Sequence, residues 1–137
     1  MYNSIECGKF MAYVKKVKKH KMHVDTVRVN VKSTFNNTLV SVTTLAGDVL
    51  MRCSAGMLNY KGTRKSTPYA ATQVGAALAK DMQAIGVKTV EINMQGMGNS
   101  RDGVVRSMQG AGFDVAVLRD VTSLAHGGCR PRKRRRT

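Results

Sequence analysis

The sequence has 137 residues, a length typical of one folded domain with short extensions. It carries 23 Lys and Arg against 8 Asp and Glu, a formal net charge of +15, and 42% of its residues are hydrophobic. This hydrophobic fraction excludes a mostly disordered chain, but so large a charge opposes folding unless a polyanion neutralises it. No apolar stretch approaches the about 20 residues that a membrane span needs. We therefore predict a nucleic-acid partner and no membrane contact.

The positive charge is concentrated towards the two ends. Six basic residues lie in residues 9–21, six in residues 130–136, and the other eleven are spread over residues 22–129. All eight acidic residues lie outside the two basic clusters. We divide the chain into a basic N-terminal arm (residues 1–24), a domain (25–121) and a basic tail (122–137), and expect both ends to contact the polyanion. The arm contributes Lys15, Lys16, Lys18 and Lys19 to the predicted contacts.

The three cysteines, Cys7, Cys53 and Cys129, are far apart in sequence. An odd number with no pair at metal-ligand spacing predicts free thiols in a reducing compartment. The N-terminus has neither the apolar stretch of a secretory signal nor the arginine- and serine-rich composition of a transit peptide. The arm shows no sustained period, which favours disorder in the free protein and is compatible with ordering on RNA.

The first half of the domain predicts three strands. Val27, Val29 and Val31 alternate with polar residues, which is typical of a half-buried strand. A turn at residues 35–37 leads to a second strand at 39–43, and a hairpin turn at 46–48 leads to a third at 49–53. Residues 54–60 form a loop.

A basic loop then leads into the first predicted helix. Thr67 suits the N-cap, Pro68 the first helical position and Gly86 the stop, so the helix covers residues 68–85. The first turn of a helix leaves unpaired N–H groups and carries partial positive charge. The side-chain cations immediately before it would join these donors at one phosphate-binding spot. They are Lys61, Arg64 and Lys65. The apolar face of the helix is expected to carry Ala71, Val74, Leu78, Met82 and Ile85.

The second half predicts a strand at residues 87–94, a glycine-containing loop at 96–101, a short helix ended by Gly110 and Gly112, and a last strand at 113–121. This order predicts an α/β fold, a three-layer sandwich with a mixed central sheet of about five strands and two main helices. The later strands should be parallel and joined by right-handed crossovers. The apolar stripe of the short helix is Val104, Val105, Met108 and Ala111.

The motifs of enzymes are incomplete in this chain. Gly96-x-Gly98-x-x-Arg101 lacks the third glycine of a dinucleotide fingerprint, so a phosphate contact by Arg101 and the helix start is favoured over a nucleotide cofactor. The stretch from Gly56 to Gly62 does not have P-loop spacing. His20-x-x-His23 has no third ligand nearby and only lysine-rich neighbours, which disfavours a metal site. We predict no catalysis, cofactor, metal or small-molecule substrate.

The end of the chain is rich in arginine, with five arginines to one lysine in residues 130–136. Guanidinium groups suit bidentate phosphate contacts and stacking on bases, whereas lysine would serve for solubility alone. RNA contact is therefore favoured over a solvated tail or an import signal.

Four ordered motifs resemble small-subunit ribosomal protein eleven of the bacterial and organellar type. They are residues 33–38 (STFNNT), 61–71 (KGTRKSTPYAA), 120–122 (DVT) and the C-terminal H-x-G-C-R-P of residues 126–131. The resemblance covers roughly residues 24–137. It implies a structural protein that binds ribosomal RNA in the platform of the small subunit, near the messenger RNA exit path and beside other small-subunit proteins. Carried over to this sequence, the implied RNA contacts are Asn36, Asn37, Lys61, Gly62, Arg64, Lys65, Ser66, Arg101, His126, Gly128, Arg130, Arg132, Lys133, Arg134, Arg135 and Arg136.

The chain departs from the family pattern in its loops. Residues 96–102 read GMGNSRD where glycine-proline-glycine-x-glycine-arginine-glutamate is usual, and prolines expected around Ser123 and Ala125 are absent. Gly127 replaces an asparagine and Arg132 a second proline. The missing prolines, nine methionines and three cysteines indicate an organellar copy, mitochondrial by preference, with plastid or bacterial cytoplasm as alternatives.

Two other functions stay open at this stage. A free-standing basic RNA chaperone is also compatible with the composition. A metal-dependent nucleic-acid enzyme would need carboxylates clustered around Mg²⁺, and the acids at positions 25, 48, 102 and 120 are spread over strand ends and a turn.

Overall fold

A computed structural model describes residues 24–134. The predictions for Lys15, Lys16, Lys18, Lys19, Arg135 and Arg136 therefore lie outside the described residues.

Five strands and two α-helices follow one another in the predicted order. The structure adds a one-turn 3₁₀ helix, Gly62–Ser66, within the predicted basic loop. The helices are α1 (Pro68–Ile85) and α2 (Arg101–Gly110), and the strands are β1 (Thr26–Ser33), β2 (Thr38–Thr43), β3 (Val49–Ser54), β4 (Thr89–Gln95) and β5 (Asp114–Asp120).

Helix α1 begins and ends where its caps predict. The Thr67 hydroxyl accepts a hydrogen bond from the Ala70 N–H, and Pro68 occupies the first turn, where a missing N–H costs nothing. At the other end Gly86 has a φ of 90°, the left-handed conformation that glycine adopts without strain. The Val87 N–H then bonds back to the Met82 carbonyl, so Val87 closes the helix and β4 starts two residues later than predicted.

The sheet has the strand order β3-β2-β1-β4-β5. β1 pairs antiparallel with β2, and β2 with β3, as expected for hairpin-connected neighbours. β4 lies parallel to β1 on one side and to β5 on the other, with α1 and α2 as the crossover helices. The sheet is therefore mixed, and the predicted parallel arrangement of the later strands is confirmed.

The two helices pack against each other, and glycines let them approach closely. A Cβ on Gly75 of α1 would lie 2.9 Å from the Ser107 Cβ of α2, and a Cβ on Gly103 would lie 2.8 Å from the Pro68 carbonyl oxygen. Both helices contribute to one core with the alternate side chains of the strands. The largest fully buried side chains of this core are Leu78, Met82, Ile92, Met108 and a set of valines from β1, β2, β4, α1 and α2.

The opposite face of the sheet is polar, and no helix within residues 24–134 covers it, so the described residues form one sheet layer and one helical layer. We call this uncovered face of the sheet the open face. Thr43 and Asn30 are hydrogen-bonded there, and Arg28 and Arg119 lie 3.2 and 3.6 Å from the Glu91 carboxylate. This face also carries the side chains of Lys32, Ser41, Arg52, Asn93 and Gln95.

Candidate nucleic-acid interface

The directions of the strands gather most of the predicted contact residues at one edge of the sheet. β1, β3, β4 and β5 all run the same way, so their carboxyl ends meet at this edge, which we call the carboxyl edge. The β1–β2 turn, the 3₁₀ turn before α1, the β4–α2 loop and the tail after β5 all leave from it. The chain reaches β1 from the opposite edge, at Val24.

The 3₁₀ turn presents the predicted basic residues to solvent. Gly62 opens the turn with a φ of 57°, and the Ser66 hydroxyl closes it by donating to the Thr63 carbonyl over 2.9 Å. Lys61 and Arg64 are exposed and Lys65 is half-buried. Within residues 24–134 none of these three cations has an acidic partner within 4.0 Å. Their charge is available to an outside anion.

The backbone donors at the start of α1 are less available than the sequence suggests. The Thr67 N–H donates to the Arg64 carbonyl, and the Thr67 hydroxyl accepts from the Ala70 N–H. Pro68 has no N–H. Of the first-turn donors, the Tyr69 N–H is the one left for a ligand. Side-chain cations, supported by the partial charge of the helix, must therefore supply most of the attraction for a phosphate here.

The starts of α1 and α2 lie side by side at the carboxyl edge. The close approach of Gly103 to the Pro68 carbonyl fixes this arrangement, since any larger residue would force the two first turns apart. Two helix N-termini with the same sign of partial charge then face the same solvent, next to the 3₁₀ turn.

Arg101, at the start of α2, is held by the protein itself. Its guanidinium donates to the Asp120 carboxylate over 2.9 Å and to the Gly96 carbonyl over 3.2 Å. Thr122 donates two hydrogen bonds to the same carboxylate, at 2.6 Å from its hydroxyl and 3.0 Å from its N–H. These bonds first, and then the charge of Arg101, lower the pKa of Asp120. Arg101 therefore shares its charge with Asp120, and an RNA phosphate would meet a partly neutralised site.

The β1–β2 turn is built by its own side chains. Thr34 bonds to the Asn37 carbonyl and accepts from the Asn36 and Asn37 N–H groups, while the Asn37 side chain accepts from the Thr38 N–H over 2.9 Å. These bonds leave the Asn36 side chain exposed at the tip, beside Phe35, which is 74% exposed. Asn37, in contrast, uses its side-chain oxygen to shape the turn.

Three buried hydroxyls join this turn to the β4–α2 loop. Ser100 Oγ lies 2.8 Å from Ser33 Oγ and accepts from Thr38 Oγ1 over 2.7 Å. Gly96 and Gly98 pack against Ser33 so closely that added Cβ atoms would lie 2.0 Å from its atoms. Buried hydrogen bonds and close packing therefore join the two loops. The sequence pattern did not reveal these residues, because a serine before a helix predicts an N-cap, whereas Ser100 makes no capping bond.

The described part of the tail extends from the carboxyl edge without regular structure. Gly127 and Gly128 have φ values of 88° and 31°, so the chain turns there through conformations that glycine favours. The predicted contact residues of the tail within the described range are all exposed and have no ion pair there. They are His126, Gly128, Arg130, Arg132, Lys133 and Arg134.

Residues 24–134 hold no group of three or more His, Cys, Asp or Glu side chains placed to bind a metal ion. Cys53 and Cys129 are free thiols, and burial raises the pKa of the Cys53 thiol. Over the same range, none of the helices is both long and apolar enough to span a bilayer.

Comparisons with known proteins identify the family. The family model described as Ribosomal protein S11 matches residues 27–136. The chain is also 45% identical over 120 residues to the "Small ribosomal subunit protein uS11c" of Phaeodactylum tricornutum (strain CCAP 1055/1), which covers 88% of this chain and 92% of that protein. The family resemblance inferred from the four motifs is thereby confirmed. Ribosomal RNA binding is typical of this family. The chain belongs to the ribosomal protein S11 family and is a structural component of the small ribosomal subunit.

Proposed function

We propose that the carboxyl edge of the sheet is the surface through which this protein binds ribosomal RNA. The observation that carries the proposal is the convergence of the 3₁₀ turn, the β1–β2 turn, both helix starts and the tail at that edge. Lys61, Arg64 and Lys65 provide unpaired positive charge at its centre, and the exposed cations of the tail extend it. Neutralising close-packed phosphates at this edge would stabilise folded RNA.

The predicted contacts divide into two groups within this surface. Lys61, Arg64 and Asn36 are exposed and project from short, internally bonded turns, so they are ready to contact RNA. Arg101 and Asn37 mainly hold the protein together, and they contribute by positioning the loops. We assign the direct phosphate contacts to the 3₁₀ turn and the tail.

We also propose where this protein lies within the ribosome. The resemblance supports a place in the platform near the messenger RNA exit path, with other small-subunit proteins as neighbours. The organellar compartment, mitochondrial by preference, is proposed from the missing loop prolines, the nine methionines and the three cysteines, and the similarity to uS11c does not favour mitochondrion over plastid. We propose a structural role without a catalytic step.

The test is the double variant Arg64→Ala/Lys65→Ala in the full chain, measured for binding to small-subunit ribosomal RNA over a series of salt concentrations. We expect weaker binding and a salt slope reduced by about 1 to 2, since each lost phosphate contact removes about 0.7 to 0.9 from the slope. The matched control is Lys80→Ala/Arg106→Ala, which removes the same charge from exposed positions on α1 and α2. Equal binding by both double variants at every salt concentration would contradict the proposal.

A further inference from the structure

The open face of the sheet carries a groove of about 590 Å³ that the carboxyl-edge proposal does not use. Its lining is more apolar than polar: Asn30, Ser41 and Asn93 lie beside the exposed Leu39, and its sides include Met57 and Val121. These two residues follow β3 and β5, so the groove opens at the carboxyl edge and is continuous with the proposed RNA-binding surface.

The register of the sheet lines up polar side chains across the open face. Arg52, Ser41, Asn30, Asn93 and Arg119 are direct neighbours on the five strands. Strands lie about 4.8 Å apart, so this row is about 19 Å long, with a cation at each end and amides at its centre. Such a row has the length of a nucleic-acid backbone segment of several nucleotides.

Charge on the open face favours an anion. Glu91 is shared by Arg28 and Arg119, at 3.2 and 3.6 Å. Within residues 24–134, Lys32 and Arg52 have no acidic group within 4.0 Å, and both are exposed. The face therefore has an uncompensated positive charge beside the groove.

The amides of the floor favour a ribose. Asn93 Nδ2 donates to Asn30 Oδ1 over 3.2 Å, and Asn30 Nδ2 donates to Thr43 Oγ1 over 3.4 Å. Asn93 Oδ1 is left over, and among residues 24–134 it is the one buried side-chain oxygen or nitrogen without a hydrogen-bond partner. That oxygen has almost no accessible surface, so the contact with an outside ligand falls to the half-exposed Gln95 amide. A ribose 2′-hydroxyl both donates and accepts, and amide side chains do the same.

The absence of aromatic side chains on the described strands decides between two forms of RNA. Single-stranded bases bind by stacking on aromatic side chains, and none of the five strands carries Phe, Tyr or Trp. Duplex RNA instead presents riboses and phosphates along a wide, shallow minor groove. Resting on the proposed function, we infer that the open face binds one sugar–phosphate strand of an A-form RNA duplex from its minor-groove side. Lys32 and Arg52 contact phosphates, and Gln95 contacts ribose hydroxyls.

The first test compares the full chain on a short RNA duplex and on the same duplex with every 2′-hydroxyl methylated. Both probes keep their phosphates, but only the first offers hydroxyl donors. We expect the unmodified chain to bind the unmodified duplex several-fold more tightly. Gln95→Ala should reduce this preference and leave the salt slope unchanged. Equal affinity of the unmodified chain for the two duplexes would overturn the inference.

The second test removes the cations of the open face with Lys32→Ala/Arg52→Ala. We expect weaker binding to the unmodified duplex and a salt slope shallower by about 1 to 2. Lys80→Ala/Arg106→Ala is the matched control, since it removes two exposed cations from the helical face. Thermal unfolding followed by circular dichroism should be the same for both double variants, because neither pair makes an ion pair within the described residues.

The outcomes separate the two proposals. If Arg64→Ala/Lys65→Ala weakens RNA binding while Lys32→Ala/Arg52→Ala matches the control, the inference about the open face fails and the carboxyl edge stands. If neither variant weakens binding, the proposed function fails as well. Chemical modification of Lys32 gives a further check. Protection in assembled small subunits without protection by the RNA duplex would assign the open face to a protein neighbour and overturn the inference.

Discussion

The hydroxyls of Ser33, Thr38 and Ser100 connect two loops that are more than sixty residues apart in sequence. All three residues have a relative exposure of 0%, so their polar atoms depend on one another for hydrogen bonds. Gly96 and Gly98 pack so closely against Ser33 that a side chain at either position would push the two loops apart. At this scale the sequence predicts little, because serine and threonine are common in exposed turns. Only the fold shows that these three are buried together.

Ser100→Ala should lower the free energy of unfolding by about 1 to 3 kcal/mol, since it leaves buried hydroxyls without their partner. Urea unfolding of the two proteins measures this difference. Ser123→Ala, at an exposed position, is the control and should change stability by less than about 0.5 kcal/mol. An effect of Ser100→Ala no larger than that of Ser123→Ala would show that the cluster does not stabilise the fold.

At the scale of the elements, local signals predict some features and tertiary contacts determine others. The valine alternation predicts β1, and Thr67, Pro68 and Gly86 give both ends of α1. The 3₁₀ turn is missed because Gly62 and the four polar residues after it have no hydrophobic period. The position of both helices on one face is missed for a different reason, since it follows from the strand order and not from any single segment. The open face and its row of amides also follow from the strand order, so no single segment of the sequence predicts them.

Substitution of Gly75 by alanine tests the contact between the two helices. In Gly75→Ala the new methyl group would collide with the Ser107 side chain, at 1.8 Å from Oγ and 2.9 Å from Cβ. Overpacking costs about 1 to 3 kcal/mol, and better helix propensity returns up to about 1 kcal/mol, so we expect a net loss of about 1 to 2 kcal/mol. Denaturant unfolding measures the change.

Two further variants make this prediction specific. Gly110→Ala is the matched control, because a Cβ there meets nothing within 4 Å, and its stability should stay the same or rise. Adding Ser107→Gly to Gly75→Ala should restore more stability than additivity allows, because it removes the obstructing atoms. Simple additivity of the two changes would mean that the helices do not meet as described.

At the scale of the whole molecule, a nearly balanced domain carries an exposed basic tail. After Thr122, the described part of the tail makes no ion pair and no side-chain hydrogen bond with the domain. Composition already predicts this division between folding and binding, because the basic clusters are separate from the hydrophobic periodicity. The sequence alone does not show where the tail leaves the domain relative to the 3₁₀ turn, since that depends on strand direction.

Removing residues 130–137 should therefore impair assembly and spare the fold. We expect the melting temperature of the truncated protein to match that of the full chain, while its incorporation into reconstituted small subunits falls severalfold. A full-length tail with its arginines and lysine changed to glutamine controls for length and should behave like the truncation. A large fall in melting temperature, or full incorporation of either variant, would show that the tail has a different role.

The strand directions have one more consequence. The chain before Val24 begins at the edge of the sheet opposite to the tail, and β1, with eight residues, sets a separation of about 26 Å between the two edges. If the arm binds RNA as the sequence predicts, the arm and the tail act together as a bivalent ligand. Once either segment is bound, the other is confined near its target at an effective concentration that can reach the millimolar range. Each phosphate contact can then exchange rapidly while the protein as a whole dissociates slowly, because both segments must be free at the same moment.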